Sequence, residues 1–357
     1  MSDMLITMCV IAYNEEQNIN GILECIKNQD YDHNNMEVVL VDGASTDNTR
    51  ALMCEFALNK DEFRRVVVLD NPKKTLPSGW NVALREYKGD AIIKVDAHAV
   101  IPEDFVSKNV RVLETGEYIC GGQRPNIIDK PTPFKETLLL AESSMFGSSI
   151  ASYRNNPGKT YVKSLFHAAY RREVFEKVGF FNEELVRTED NEIHYRMRKA
   201  GYKLCFDPDI ISYQYTRSSL KAMLKQKYAN GYWIGKTSKV CPKCLSIYHF
   251  VPFAFVSAII ASGSVIGATG LAECIKKRHN HTLGKGISAL RKVTVVLTTV
   301  MWVLYALMAS GMAAVSAFKA EDKRNITNAC LPVLFLLLHL SYGIGTIAGL
   351  MDKSKRG

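Results

Sequence analysis

The sequence predicts an α/β domain on a largely parallel sheet, followed by a membrane domain, and three observations carry that prediction. Short apolar, β-branched runs alternate with helical stretches through the first 235 residues. Three uncharged apolar runs then follow, at 246–272, 293–318 and 329–351, each longer than the ~18–20 residues that cross a hydrocarbon core. No Gly-x-Gly-x-x-Gly follows the first run and no P-loop signature occurs, so a phosphate bound here is not held by a glycine-rich loop.

The strand candidates are 5–12, 37–42, 65–70 and 91–96, and the helical candidates are 17–28, 46–59, 78–87 and 102–115. Strands separated by helices of this length are joined by crossovers and run parallel. Ligands of such sheets bind outside the carboxyl ends of the strands. Three of the four runs end there in polar residues: Tyr13-Asn14-Glu15-Glu16, Asp42-Gly43-Ala44-Ser45 and Asp96-Ala97-His98. Residues 1–235 are expected to form the α/β domain and 246–351 the membrane domain. Between them, 217–245 overlaps the end of the first domain and mixes bases with aromatics. It reads either as an interfacial amphipathic linker or as an ordinary helix packed beneath the domain.

Of the 357 residues 47% are hydrophobic and 23% charged, enough for well-buried cores, and the net charge is +9. The excess lies near the apolar runs, at Lys276, Lys277, Arg278, Lys285, Arg291 and Lys292, at Lys319, Lys323 and Arg324, and at Lys353, Lys355 and Arg356. Such clusters suit anionic lipid surfaces, and no nucleic-acid-binding motif accompanies them, so nucleic acid is not an expected partner. Residues 1–3 lead straight into a strand, without the order of a secretory signal. Nine cysteines lack disulfide-framework spacing. Cys241-Pro-Lys-Cys244 is a single pair that reads as two reduced thiols. The N-terminal domain is therefore expected on the cytoplasmic side of the cell membrane. Three crossings from there would put the basic stretch 275–292 outside, against the positive-inside tendency. Either the first run is re-entrant or the large domain overrides the charge signal.

Three groups of residues are suited to chemistry. Asp96 and His98, two apart at a strand end, project to one side. Their oxygen and nitrogen donors suit Mn2+ better than Mg2+; the alternative is an acid capping a turn beside a structural histidine. Glu189 and Asp190 begin a helix that ends near Gly201, where acids either complement the helix dipole or offer a general base. Lys73 and Lys74 lie in a Pro-bounded loop before a helix carrying Asn81, either solvated or turned to phosphate oxygens.

Taken together and in order, the segments Val10-Ile-Ala-Tyr13-Asn14-Glu15, Val41-Asp42-Gly43-Ala-Ser45, Val95-Asp96-Ala-His98, Thr188-Glu189-Asp190 and Arg196-Met-Arg198-Lys-Ala-Gly201 resemble family 2 of the glycosyltransferases, over most of residues 4–235. Phe166-His-Ala-Ala-Tyr-Arg171-Arg172 and the Asp-Ala-His-Ala form are most similar to its succinoglycan-type branch, which builds exopolysaccharide units on lipid carriers. The resemblance implies a GT-A fold, a Rossmann-like mixed sheet that binds a nucleotide-diphospho-sugar, here a UDP-hexose. It implies that Tyr13, Asn14 and Glu15 line the nucleoside pocket and that Asp42 binds the uracil end. Asp96 and His98 would hold the donor and its divalent metal, Mn2+ or Mg2+, with His98 where many relatives carry a second Asp. Asp190 would be the catalytic base, with Glu189 beside it. Contacts of Lys73 and Asn81 with the donor phosphates are an expectation from their chemistry. The acceptor implied is a lipid-linked saccharide at the membrane surface, with polysaccharide-assembly proteins as possible partners. No Gln-x-x-Arg-Trp occurs, which favours single addition over polymer extrusion. Two other readings stay open: transfer to polyprenyl phosphate itself, and a non-catalytic scaffold that binds a nucleotide-sugar. A transporter is disfavoured, because the apolar runs carry hardly any ionisable residues.

Overall fold

All seven residues of β1 (Ile6–Ala12) are buried, as are all seven of β2 (Met36–Asp42), so both faces of their sheet are covered. The computed structural model describes residues 3–58, 62–147, 158–217, 219–278, 284–320 and 325–354. Helices α1 (Ile19–Lys27), α2 (Thr49–Leu58) and α3 (Leu76–Glu86) connect β1, β2, β3 (Arg65–Asp70) and β4 (Ala91–Asp96). All four strands are parallel, in the order β3-β2-β1-β4. These elements begin and end within three residues of the sequence expectation; residue 59, the last of the expected second helix, lies outside the described residues. Residues of β1 alternate between two cores. Ile6, Met8 and Val10 pack with Ile19, Ile22 and Ile26 of α1, whereas Cys9 and Ile11 pack with Trp80, Ala83 and Leu84 of α3.

The remaining strands turn the sheet mixed. After β5 (Ala99–Val100) and α4 (Phe105–Glu114) come β6 (Ile119–Gln123), β7 (Asn126–Ile127), α5 (Pro133–Ser143), β8 (Thr160–Val162) and β9 (Ala169–Arg171). Then follow α6 (Arg172–Val178), α7 (Glu189–Lys199), β10 (Leu204–Ile211) and β11 (Tyr213–Tyr215). The eight-stranded order is β3-β2-β1-β4-β9-β6-β10-β8, with β9 antiparallel to both β4 and β6. A small second sheet, β5-β11-β7, stands beside it. Register aligns Ala12, Asp42 and Asp70 in one row and sets Asp96 beside Ile11, so the polar strand ends share one edge. At the opposite edge, buried Glu37 accepts from Thr7 Oγ1 at 2.6 Å and Lys88 N at 2.7 Å and pairs with Arg65. That satisfaction is what lets an acid lie inside a strand.

Four helices complete the chain: α8 (Leu220–Val240), α9 (Val251–Arg278), α10 (Lys285–Phe318) and α11 (Leu331–Met351). The last three, with the short turns at their starts, are long and apolar enough to cross a membrane. α9 and α10 leave nearly all their apolar surface exposed, whereas α11 is largely covered. Lys276, Lys277 and Arg278 form the last turn of α9, and Arg291 of α10 pairs with Glu273. Lys323, Arg324, Lys355 and Arg356 lie outside the described residues.

α8 packs along α11. A side chain added at Gly231 would stand 2.0 Å from the Tyr342 carbonyl oxygen, and one at Gly235 2.5 Å from that of Thr346. In return, Gly345 and Gly349 face the carbonyls of Tyr228 and Tyr232 at 2.2 and 2.0 Å. Small residues four apart on both helices thus bring the backbones into contact. α5 joins the same assembly, its Leu138 and Ala141 packing with Met223, Ala309, Leu334 and Phe335. A buried ion pair, Lys227–Glu142 at 3.3 Å, ties α8 to α5.

Gly231→Ala is expected to force α8 from α11 and lower stability by about 1–3 kcal/mol. Gly263→Ala on α9, where an added side chain meets nothing within 4 Å, leaves it unchanged or slightly raised. Thermal unfolding of the detergent-purified variants checks the pair.

Candidate active site

The aligned strand ends build one wall of a cleft. Asn14 adopts φ 54°, a left-handed conformation that Asn tolerates, and its Oδ1 accepts from Thr46 N at 2.8 Å. Ser45 Oγ accepts from Asn14 N at 3.0 Å, so the β1 and β2 ends brace each other. Asp42, 2% exposed, accepts from Ser45 N at 3.2 Å. Tyr13 projects half exposed beside Gly43, the one member of this row whose ring is open to a ligand face. Asn14 thus spends its side chain on the loop, and Glu15 turns away from Tyr13 toward the end of β4.

There Glu15 Oε1 lies 3.1 Å from His98 Nδ1, and Gln214 Nε2 of β11 lies 3.2 Å from His98 Nε2. The hydrogen bond with Glu15 raises the His98 imidazole above its usual value, against its burial. Burial works against the Glu15 charge, but the bonds from His98 and Asn18 outweigh it and lower the carboxyl. Asp96 is likewise ionised. Burial opposes its charge, yet His167, then His98 and Lys94, hold it well below the usual carboxylate range. His167 accepts from Asp96 N at 3.3 Å through Nε2, and its Nδ1 meets Ser212 Oγ at 2.8 Å. Burial keeps that imidazole neutral.

The opposite wall is the first turn of α7. Asp190 Oδ1 accepts from Lys94 Nζ at 2.6 Å, and Glu189 Oε1 is 3.6 Å from the same ammonium. Burial would raise the Asp190 carboxyl, but the Lys94 charge and hydrogen bond prevail and lower it, so Asp190 carries the negative charge. Glu189 is 3% exposed; burial, then the Asp190 charge, push its carboxyl far above the usual range, and it holds a proton at neutral pH. His194, pulled down to about 4 by burial, is neutral between Tyr170 and Ser164.

Lys73 and Asn81 both meet Glu183. Asn81 donates to Phe181 O at 3.0 Å and Glu183 Oε1 at 2.9 Å and accepts from Phe181 N at 2.8 Å, while Lys73 Nζ pairs with Glu183 at 2.7 Å. Both brace the loop before α7. Four groups at the site escaped the sequence reading: Lys94, His167, Arg187 and Arg217. Desolvation, then the Arg217 charge, pull the Arg187 guanidinium below its usual value, and Arg217 also acts on His98. Neither arginine has an ion-pair partner among the described residues, and two such cations side by side favour an anion. A signal existed, since Gln214-Tyr-Thr-Arg217 keeps a Gln-x-x-Arg spacing with Ser218 where Trp would complete it.

No group of three or more His, Cys, Asp or Glu side chains is disposed to hold a metal among the described residues. Asp96 and His98 nonetheless offer a donor set that fits a divalent cation. Glu15 holds Nδ1, the second-sphere arrangement of metal-bound imidazoles, and a cation at Nε2 would displace the Gln214 amide that stands 3.2 Å from it. The remaining ligands would come from a diphosphate and water.

The comparisons with known proteins agree with this architecture. Residues 7–179 match the model of the family described as glycosyl transferase family 2. Succinoglycan biosynthesis protein ExoA of Rhizobium meliloti is 28% identical over 235 residues, 64% of this chain and 68% of that protein. A dolichyl N-acetyl-alpha-D-glucosaminyl phosphate 3-beta-D-2,3-diacetamido-2,3-dideoxy-beta-D-glucuronosyltransferase of Methanococcus voltae is 26% identical over 263 residues, 72% and 80% of the two chains. Among solved structures, mannosyltransferase PcManGT from Pyrobaculum calidifontis, in complex with GDP-Man and Mn2+, superposes with a TM-score of 0.57. It shares 18% identity over 98% of this chain and 88% of that one, and the likeness is one of fold.

Glu189 gives the site a measurable pH dependence. Its folded carboxyl holds a proton to higher pH than the unfolded one. The stability it contributes is therefore complete below the unfolded value and is lost as pH rises through the folded one. Glu189→Gln, which keeps the neutral form, is expected to match wild type near pH 4, below the unfolded carboxyl's value, and to unfold a few degrees higher near pH 9. Thermal unfolding at both pH values checks it.

Proposed function

We propose that this chain, whose residues 7–179 match the model of glycosyl transferase family 2, moves one sugar from a nucleotide-sugar, a UDP-hexose, to a saccharide carried by a membrane lipid, working from the cytoplasmic face in exopolysaccharide or capsule assembly. One observation carries this reading: an ionised Asp190 on α7 stands across the cleft from ionised Asp96 on β4. The start of α7 bonds to α8 through Arg187 with Asn230 and Thr188 with Thr237, and α8 and α5 pack on the apolar helices. A hydroxyl presented at a bilayer surface is within the domain's reach only if the domain is held there.

The donor's nucleoside lies over Tyr13 and Asp42, and its diphosphate lies between Asp96 and His98 on one side and Arg187 and Arg217 on the other. Asp96 and His98 would hold a divalent cation, which would supply charge neutralisation at the departing diphosphate. Asp190 takes the proton of the acceptor hydroxyl while its oxygen bonds to the anomeric carbon. The bond to the diphosphate breaks on the opposite face, so the centre inverts in a single displacement. No covalent sugar–protein intermediate is required.

The test is UDP release by the detergent-purified protein with a panel of UDP-sugars, Mn2+ or EDTA, and lipid extract as acceptor. A sugar–sugar bond in the product lipid supports this reading; a sugar on the lipid phosphate would make polyprenyl phosphate the acceptor. Absence of metal-dependent release with any donor would favour the scaffold. Asp190→Asn is expected to lower kcat by about 10²–10⁴-fold while nucleotide binding, read by calorimetry, is kept. His98→Ala is expected to raise the Mn2+ concentration for half-maximal turnover at least about tenfold; an unchanged metal titration would remove His98 from the cation site.

A further inference from the structure

Lys94 is the least expected group in the site. It lies on β4 two residues before Asp96 and so projects to the same side of the sheet. A strand that reads as an apolar run thus buries an ammonium, its side chain 10% exposed. A lysine there is tolerated only with a carboxylate partner, and Asp190 Oδ1 supplies it at 2.6 Å, with the Glu189 carboxyl Oε1 farther off at 3.6 Å. The ammonium also lies over the rings of Trp80 and Phe181, at 5.2 and 5.8 Å from their centroids. Phe181 is itself fixed by the two-way hydrogen bonds of Asn81 with its backbone, at 2.8 and 3.0 Å. A chain of contacts therefore runs from α3 through Phe181 to Lys94 and on to Asp190.

Asp190 needs such support. It is the second residue of α7, and no side-chain cap steadies that helix start. A carboxylate that must meet a hydroxyl within hydrogen-bond reach loses rate steeply when displaced. Lys94 engages one of its oxygens and fixes the orientation of the group.

We propose that Lys94 is a positioning residue of the transfer reaction, holding Oδ1 of Asp190 so that Oδ2 accepts the proton of the acceptor hydroxyl. The inference rests on Asp190 being the base. It assigns Asn81 a role through Phe181 and Lys94, rather than on the donor phosphates.

The test compares Lys94→Met and Lys94→Arg in the full-length, detergent-purified protein. Donor concentration is varied at fixed acceptor, and nucleotide binding is measured separately. Lys94→Met is expected to lower kcat about 10²-fold, with donor KM within about twofold and nucleotide affinity unchanged. Lys94→Arg, which keeps the charge, is expected to return kcat to within about tenfold of wild type. Should Lys94→Met fail to fold, Lys94→Gln carries the same expectation. Full kcat in the neutral variants overturns the proposal. So does a rise in donor KM at unchanged kcat, which would make Lys94 a donor-binding group, or an arginine variant as slow as the methionine one. The two readings separate cleanly. Full kcat in Lys94→Met with turnover lost in Asp190→Asn sinks only the role of Lys94, whereas turnover kept in Asp190→Asn sinks the base assignment and this inference with it.

Discussion

One buried ammonium joins the two halves of the site. Lys94 rises from the parallel sheet at β4 and meets Asp190 and Glu189 at the start of α7, some 96 residues later in the chain. Without a cation there, Asp96, Asp190 and Glu189 would gather unbalanced negative charge in a buried cleft, at a cost of several kcal/mol per ion. With it, the charges divide. Asp96 and Asp190 stay ionised, and Glu189 takes up a proton. Two neighbouring acids of one motif thereby acquire different protonation states, set by burial and by which of them the lysine touches at 2.6 Å.

The apolar helices connect to this site through packing. α11 is apolar enough to cross a membrane, yet its glycines pack against the backbone of α8, and α5 packs against the same assembly. The lysines of α8 are used locally: Lys227 pairs with Glu142, and Lys236 and Lys239 reach Asp352 at the end of α11. α9 and α10 remain the exposed apolar pair. The family domain and the apolar helices are thus continuous in structure, α5 belonging to the former in sequence order and to the latter in its contacts.

Much of the fold was legible because its signals are local. Apolar runs of six to eight residues, helices at 3.6-residue spacing and polar strand ends depend on near neighbours, and the first four strands fall where those patterns put them. The site was legible as residues but less as partners. Asn81 was recognised as a polar group at the right place; its true neighbours, Phe181 and Glu183, are about a hundred positions away. Glu15, expected to line the nucleoside pocket, also meets His98, 83 residues on. Arg187 and Arg217 carried no assignment in the sequence; the fold brings their charges within reach of one another.

The sequence by itself determined that this chain is an α/β domain with acids and amides at its strand ends, followed by apolar helices. Those properties follow from residue type and short-range period. Only the tertiary structure decided which acid is charged, which histidine is tethered, and whether α8 lies free or against α11. Each of those depends on the distance between side chains far apart in the chain, and electrostatic and packing energies are set by that distance.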